Sequence, residues 1–164
     1  SSGVATKTDG TLWSWGYNNY GTLGHNNRTE YSSPKQVGTD TNWTLTTVAG
    51  AKQGNFYLVA GKTDGTFWNC GYNSEGQLGH NNTTSYSSPV QLPGTWAHLC
   101  QGQGNGFATR TDGTLWGWGY NHYGSLGLNN NNTNGRYSSP TQIPGTNWTM
   151  VTTNGSRTFA TKSS

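Results

Sequence analysis

One eleven-residue phrase occurs three times in the chain, and it constrains the fold more than any other feature. It reads TDGTLWSWGYN from Thr8, TDGTFWNCGYN from Thr63 and TDGTLWGWGYN from Thr111. A proline follows each copy, and a tryptophan precedes the next. These residues are Pro34, Pro89 and Pro140, and Trp43, Trp96 and Trp148. Equivalent positions recur at roughly fifty residues, which is the length of one four-stranded propeller blade.

Each copy of the phrase predicts a β-hairpin. A short strand over residues 3–7 runs into Asp-Gly, a pair typical of hairpin turns because glycine accepts positive φ at no steric cost. The returning segment over residues 11–15 is interpreted as a strand of period two, so that one of its faces can be buried. A polar loop, HNNRTEYSS, ends at Pro34, and a short edge strand over residues 35–37 follows. We find no helical periodicity, so the sequence predicts an all-β fold.

Three longer stretches carry a family resemblance. TDGTLWSWGYNNYGTLG, TDGTFWNCGYNSEGQLG and TDGTLWGWGYNHYGSLG, each followed by a loop and a proline, resemble the regulator-of-chromosome-condensation repeat family. The resemblance covers nearly the whole chain and implies a β-propeller, commonly of seven blades.

From the repeats we predict propeller-type four-stranded blades, about three in the chain, within a single repeat domain over residues 1–164. The repeats lie at approximately 1–42, 43–95 and 96–147, with a partial closing unit at 148–164. Three blades would leave open sheet flanks, which invite pairing. We therefore expect an incomplete ring, as in a fragment of a larger propeller, or one completed by other copies of the chain.

All eight tryptophans fall at three equivalent positions of the repeat. We predict that they form a structural core between blades. The residues named for this core are Trp13, Trp43, Trp68, Trp96, Trp116 and Trp148. The alternatives are an aromatic platform for sugars and a light-absorbing cluster. The tryptophan–arginine motif that a photoreceptor built on this repeat uses is absent, which argues against photoreception.

The polar residues do not predict a catalytic site. Asp9, Asp64 and Asp112 lie in tight turns, where a carboxylate caps the backbone. No spacing pairs two carboxylates, and no nucleophile elbow, metal-ligand pattern or phosphate loop occurs. We therefore predict no catalytic, cofactor-binding or metal-binding residues, no cofactor and no enzyme activity.

Charge and hydropathy limit the partners. The nine basic residues are scattered along the chain and the net charge is only +3, so we expect no nucleic-acid partner. No apolar run approaches the ~18 residues that a membrane span needs. Cys70 and Cys100 occupy unrelated positions of the repeat, and we favour buried thiols over a disulfide.

The loops before each proline are the candidate recognition surface. They are rich in Asn, Thr, Ser and Tyr, and the third is longer than the others. Variable length at one place in a repeat marks an exposed and often a binding face, and these residue types are common in recognition loops. The candidate recognition residues are His25, Tyr31, His80, Tyr86, Arg136 and Tyr137. A plain solvent-exposed loop is the equal alternative.

The same loops contain Asn-x-Ser/Thr triplets, which an Asn/Thr-rich chain also produces by chance. The candidate glycosylation sites are Asn27, Asn81, Asn82 and Asn131.

These patterns predict a non-enzymatic repeat module at an extracellular or virion surface, which assembles through loop contacts and strand pairing between copies. Intracellular location is left open. The alternative function is recognition of a glycan or protein by the Tyr/Asn-rich loops. An exchange factor for a small GTPase or a chromatin binder, which the resemblance also implies, ranks third because the basic patch and any wedge-like insertion are missing.

Overall fold

The computed structural model describes residues 1–50, 56–130, 135–154 and 157–164, and for residues 45–50 it describes the backbone alone. The described residues form thirteen strands and one short 3₁₀ turn, His122–Gly124, and no α-helix. The strands are β1 (Ser2–Thr6), β2 (Leu12–Gly16), β3 (Tyr31–Gln36), β4 (Trp43–Gly50), β5 (Phe56–Lys62), β6 (Phe67–Gly71), β7 (Tyr86–Gln91), β8 (His98–Gln101), β9 (Asn105–Thr109), β10 (Leu115–Tyr120), β11 (Arg136–Ile143), β12 (Trp148–Thr153) and β13 (Thr158–Lys162).

The strands form four antiparallel sheets in which neighbours along the chain are neighbours in the sheet. Strands β1–β3 make a three-stranded sheet, β4–β7 and β8–β11 make four-stranded sheets, and β12 pairs with β13. Each sheet falls inside one of the predicted repeats. The prediction of an all-β fold with propeller-type four-stranded blades is confirmed. Within the described ranges, no helix has the length and apolar character needed to cross a membrane.

The described chain divides into two compact units. Unit 1 comprises Ser1–Asn73 and Thr84–Leu92, and unit 2 comprises Ser74–Thr83 and Pro93–Ser164. The core of unit 1 is built on buried residues that include Leu12, Val37, Trp43 and Leu58, and the core of unit 2 on residues that include Phe107, Leu115, Leu126 and Ile143. The single repeat domain over residues 1–164 stays a prediction.

The Thr-Asp-Gly-Thr turn has the same hydrogen bonds in each of the three repeats. In the first, the Gly10 N–H donates to the Lys7 carbonyl at 2.9 Å. Asp9 Oδ1 accepts from the backbone N–H of Thr11 at 3.0 Å and from its hydroxyl at 2.6 Å. Gly10 has φ of 79°, a left-handed conformation that favours glycine. The Asp-Gly pair therefore makes the hairpin turn that the sequence predicts.

The last strand of each of the first three sheets, β3, β7 and β11, contains a bulge that the sequence did not reveal. Ser14 pairs with Lys35 and Gly16 pairs with Tyr31, so residues 32–34 bulge out of the ladder between β2 and β3. The same register shift occurs at residues 87–89 and 138–140. We call these segments the first, second and third bulges. Each has the sequence Ser-Ser-Pro, and proline is tolerated there because a bulge needs no ladder N–H.

We expect the close approach at Gly10 to make it far less tolerant than the equivalent Gly65. Both have φ of 79°, so alanine strains the backbone equally at each, by roughly 1–2 kcal/mol. A Cβ on Gly10 would lie 1.9 Å from the Thr41 carbonyl oxygen, whereas one on Gly65 would meet nothing within 4 Å. Gly10→Ala should lower the free energy of unfolding in urea by about 1–3 kcal/mol more than Gly65→Ala. Equal losses would contradict the packing described here.

Candidate functional site

A chain of hydrogen bonds links the turn of each repeat to a tryptophan. Thr11 Oγ1, which donates to Asp9, accepts from Trp13 Nε1 at 2.7 Å. The same links join Asp64, Thr66 and Trp68, and Asp112, Thr114 and Trp116. Hydrogen bonds from the threonines lower the pKa of all three carboxyls. The aspartates therefore serve the turn, as their spacing predicts.

A basic residue precedes each turn and lies over the tryptophans. The Lys62 Nζ lies 4.6 Å from the Trp43 ring centroid and 4.4 Å from that of Trp68. The Arg110 guanidinium lies 4.9 Å from the Trp96 centroid and 4.3 Å from that of Trp116. Lys7 and Lys162 lie over Trp13 and Trp148. Four of the nine basic residues thus occupy equivalent positions of the repeat, a regularity that the sequence analysis did not note.

Unit 1 contains a groove of about 450 Å³ whose walls combine aromatic and charged groups. Trp43 is buried, Trp68 is half-buried, and their rings meet edge to face at 6.2 Å. Asp40 lines the groove and its Oδ2 lies 2.7 Å from the nearly buried Lys62 Nζ. Lys35 and Pro89 also line it. One wall is therefore a fixed cluster of two indoles, an ammonium and a carboxylate.

The grooves of unit 2 have a different chemistry. Two of them, of about 380 and 590 Å³, are lined by apolar residues, glycines and neutral polar residues, with no charged side chain. The sequence explains the difference. The residue after the repeat proline is Lys35, Val90 or Thr141, and the segments before the next tryptophan read VGTDTN, LPGT and IPGTN. Only the first repeat places charges at both positions.

The structure brings two of the predicted recognition residues together beside this groove. The His25 and Tyr31 rings meet edge to face at 5.0 Å, and the Lys35 Nζ donates to the Tyr31 hydroxyl at 2.8 Å. His25 Nε2 lies 3.0 Å from Ser14 Oγ. Burial, followed by the charge of Lys35, lowers the pKa of His25, and the hydrogen bond from Lys35 lowers the pKa of Tyr31.

The other four predicted recognition residues are divided between the two units, with Tyr86 in unit 1 and His80, Arg136 and Tyr137 in unit 2. His80 is half-buried, and burial lowers its pKa. Tyr86 packs on the core of unit 1, and Tyr137 on that of unit 2. Arg136 Nε lies 2.7 Å from Glu75 Oε2.

Four of the six residues were expected in loops but lie in strands, and this is a correction. Tyr31, Tyr86, Arg136 and Tyr137 belong to β3, β7 and β11 because each strand begins before its bulge. The recognition role of these residues stays a prediction.

The predicted core tryptophans differ in burial. Trp43 and Trp96 are buried, whereas Trp13, Trp68, Trp116 and Trp148 are half-buried. Their role as a core between blades stays a prediction. Trp118, one of the eight predicted core tryptophans although not among the six named, is fully buried, and its Nε1 donates to the Gln77 carbonyl at 2.9 Å.

The candidate glycosylation sites are engaged in local hydrogen bonds where the structure describes them. Asn27 Nδ2 donates to the His25 carbonyl, and Asn82 Nδ2 to the His80 carbonyl. Asn81 Oδ1 accepts from Ser139 Oγ. Asn131 lies outside the described residues. Glycosylation gains no support from this geometry.

Both cysteines are free thiols. Burial raises the pKa of Cys70 and of Cys100 to about 12. In the described part of the chain, no three His, Cys, Asp or Glu side chains group closely enough to hold a metal ion.

Three residues that the structure places at exposed candidate binding positions were not named from the sequence. Lys35 and Asp40 both line the groove, and a comparison of equivalent positions in the repeats could have found them. Tyr123 is 85% exposed and has φ of 59°, in the left-handed region that non-glycine residues rarely adopt. No local pattern predicts that conformation.

A family model matches most of the chain. The repeat described as Regulator of chromosome condensation (RCC1) matches residues 9–58, 64–103 and 112–160. The chain belongs to the RCC1 repeat family. This confirms the resemblance stated from the thrice-repeated phrase.

Two relatives and two solved structures are similar to this RCC1 repeat chain. The Ultraviolet-B receptor UVR8 of Arabidopsis thaliana is 30% identical over 89 residues, 54% of this chain and 20% of the receptor. The Protein RCC2 homolog of Danio rerio is 35% identical over 80 residues, 47% of this chain and 15% of the relative. The crystal structure of Prp20p from Saccharomyces cerevisiae has a TM-score of 0.77 at 20% identity and that of human WBSCR16 a TM-score of 0.74 at 19% identity.

The solved structures are similar in fold over nearly the whole of this chain. The similarity covers 99% of it for Prp20p and 94% for WBSCR16, but only 42% and 41% of those two chains. This RCC1 repeat chain thus spans a fifth or less of the two relatives and about two fifths of the two structures.

We expect Thr11→Val to lower the free energy of unfolding by about 1–2 kcal/mol, because it leaves the Trp13 indole without its acceptor and removes the hydroxyl donor to Asp9, which keeps only the backbone N–H of residue 11. The exposed Thr8 in the same turn is the control, and Thr8→Val should change stability by less than about 0.5 kcal/mol.

The hydrogen bonds between Thr11 and Asp9 also predict that the effect of Thr11→Val on stability depends on pH. The pKa of Asp9 is lowered in the folded state, so the contribution of its hydrogen bonds is present above the unfolded pKa and is lost as pH falls through the folded one. Urea unfolding at several pH values should show the gap between wild type and Thr11→Val narrowing in acid. A gap that widens would contradict the hydrogen-bond chain.

We expect both thiols to resist modification while the protein is folded. At pH 8 a thiol whose pKa is raised to about 12 is protonated, and the thiolate is the nucleophile. Ellman's reagent should react slowly with the native protein and promptly with both cysteines in urea, with glutathione as the reference thiol. A native thiol that reacts as fast as glutathione would show that the burial is wrong.

Proposed function

We propose that this chain is a non-enzymatic protein-binding module and that the groove of unit 1 binds a segment of its partner. The observation that carries the proposal is that two charged side chains, Lys35 and Asp40, line a groove that also has two indoles. In the other repeats the equivalent positions are neutral. Repeats that share their structural residues and differ at a groove are expected to differ in what they bind.

The groove indicates the chemistry of the segment. Trp68 and Pro89 offer a half-buried apolar surface, which suits an apolar side chain. Lys35 is exposed, so its ammonium can meet a carboxylate. Asp40 is already paired with Lys62, and this pair fixes the far wall. The proposed ligand is an extended segment that carries an acidic side chain beside an apolar one.

The comparisons support a protein partner in general terms. The structure of Prp20p is described together with its binding properties to Gsp1p and histones, and both partners are proteins. Only that class is carried over, because this chain spans 42% of Prp20p. An extracellular or virion surface role and a glycan ligand have no support from the relatives, and they are not part of the proposal.

The proposal is tested by selecting a phage-displayed library of linear random peptides on the immobilised chain. Selected peptides should pair an acidic with an apolar residue. Lys35→Glu should weaken their binding about tenfold, or ~1.4 kcal/mol, because it places like charges together. Binding is measured by fluorescence anisotropy with a labelled peptide.

Arg28→Glu is the matched control, because Arg28 is exposed, lies in the same unit and does not line the groove. It makes the same change in charge and should leave the affinity unchanged. Equal losses in the two variants, or a selection that yields no binding peptide, would overturn the proposal.

A further inference from the structure

His25 lies in the first loop (residues 17–30), which connects β2 to β3 within unit 1. The Asn26 N–H donates to the Ser87 carbonyl of the second bulge at 2.7 Å. A Cβ on Gly24 would lie 3.2 Å from Pro89 Cδ, so the loop packs closely on that bulge. His25 lines the groove that forms between the loop and the bulge. These backbone contacts therefore fix the place from which the His25 ring meets the groove.

Hydrogen bonds to the interior fix the tautomer of His25. The Ser14 hydroxyl is fully buried and donates its proton to the Leu23 carbonyl at 2.6 Å. A hydroxyl has a single proton, so Ser14 Oγ can only accept from His25 Nε2, which lies 3.0 Å away. Nε2 therefore carries a hydrogen whether the ring is neutral or charged. In the neutral ring the lone pair is on Nδ1.

The other ring nitrogen of His25, Nδ1, can change its protonation state without disturbing the fold. Among the described residues no group hydrogen-bonds it, and it is not one of their polar atoms that are both buried and unpaired. Protonation at Nδ1 leaves the bond from Nε2 to Ser14 intact. The change replaces a hydrogen-bond acceptor at the groove by an N–H donor that carries a positive charge.

Two side chains of β3 lie close to the His25 ring. Tyr31 meets the ring edge to face at 5.0 Å, and the Lys35 Nζ lies 4.2 Å from the Tyr31 ring centroid and donates to its hydroxyl. Burial of the ring, followed by the charge of Lys35, lowers the pKa of His25, so the ring is mostly neutral at pH 7.5. A carboxylate bound to the Lys35 ammonium would offset this repulsion and would favour the charged ring.

The other groups around His25 do not compete for its charge. Asp40 also lines the groove, but its carboxylate is paired with Lys62 at 2.7 Å. From the second bulge the groove is lined by Ser88 and Pro89, which are neutral. A proton on His25 therefore places a second positive charge in the groove in addition to that of Lys35.

This combination of side chains occurs in the first of the three repeats. The positions hold Ser14, His25 and Lys35 in the first repeat, Asn69, His80 and Val90 in the second, and Gly117, Leu128 and Thr141 in the third. A hydroxyl, an imidazole and an ammonium are thus joined in one repeat of the three. That is expected of a feature that belongs to one binding site and not to the repeat fold.

We propose that His25 is a pH-dependent specificity residue of the groove of unit 1, and that acidification strengthens the binding of a segment that carries a carboxylate. A carboxylate beside neutral Nδ1 would set two acceptors against each other. Protonated Nδ1 instead donates a hydrogen bond and attracts the carboxylate together with Lys35. The inference rests on the proposed function, because it concerns the same groove and the same class of ligand.

The direction of the pH dependence follows from linkage between proton and ligand binding. A bound carboxylate favours the charged ring, so the pKa of His25 is higher in the complex than in the free chain. The affinity therefore rises as pH falls through the pKa of the complex, and it levels off below the pKa of the free chain. The acidic side chain of the ligand stays ionised above about pH 5, because the ordinary pKa of Glu is about 4.3.

The test measures the affinity of a labelled acidic peptide, selected by phage display on the chain, at pH 7.5 and at pH 5.5 and at constant ionic strength. Fluorescence anisotropy should show an affinity about three- to tenfold higher at the lower pH, the effect of one added unit charge about 6 Å from the carboxylate in a partly solvated site. The same peptide with its acidic side chain replaced by the corresponding amide should show no such increase.

Two histidine variants separate His25 from the other histidines of the chain. Glutamine at position 25 keeps a donor for Ser14 but is neutral at every pH, so the increase should be lost in His25→Gln. His98→Gln is the matched control, because His98 is exposed and does not line the groove. It should keep the full increase. Circular dichroism at both pH values confirms that each variant is folded.

The tautomer of His25 is measured separately, in the free chain, by long-range ¹H–¹⁵N NMR of the imidazole ring. At pH 7.5 Nε2 should be the protonated nitrogen, and in Ser14→Ala the neutral ring should become a mixture of tautomers because Nε2 has lost its acceptor. This measurement needs no peptide. A neutral His25 protonated on Nδ1 in the wild-type chain would overturn the inference.

The outcomes distinguish the inference from the proposed function. Peptides that bind equally at both pH values, an amide peptide that gains as much as the acidic one, or a His25→Gln variant that keeps the increase would overturn the inference and leave the proposed groove standing. A selection that yields no binding peptide would overturn both.

Discussion

The hydrogen bond from the tryptophan indole to the threonine hydroxyl, and from that hydroxyl to the aspartate, is the interaction on which each repeat depends. It ties the hairpin turn to the strand that follows, so the orientation of Trp13, Trp68 and Trp116 is set by a local sequence of six residues. The tryptophan then offers its face to the basic residue before the turn. At the groove of unit 1 that residue is Lys62, which pairs with Asp40 in the wall.

The sequence predicted the parts of the fold that depend on local geometry. The Asp-Gly turns, the repeat period and the boundaries of the sheets follow from backbone preferences that act within a few residues. The bulges were missed because they depend on register between strands. Proline was interpreted as the end of the loop, whereas β3 already begins at Tyr31 and continues through Pro34. Tyr31, Tyr86 and Tyr137 were placed in loops for this reason alone.

The candidate site could be predicted only in part, for a different physical reason. His25 and Tyr31 were named from the composition of the loop, and they do lie together beside the groove. Lys35 and Asp40 were not named, because they are noteworthy only as lining residues of the groove. That groove forms between the first loop and the second bulge, which are far apart in the sequence. The alignment of Lys7, Lys62 and Arg110 before their turns, and of Lys162 at the equivalent end of β13, was visible in the sequence. Its meaning required the indoles, which lie over these cations in the folded repeat.

The packing contacts of the repeats explain why the three repeats share so much of their sequence. The positions that the repeats share are those at which a close approach leaves no room for change, such as Gly21 and Gly76 against the serines of the next repeat. At such a shared position the residue type is determined by packing, so the residue is not expected to contact a partner. Recognition must instead lie where the repeats differ and the backbone does not constrain the side chain. Lys35 and Asp40 satisfy both conditions, because each is exposed and neutral residues replace it in the other repeats.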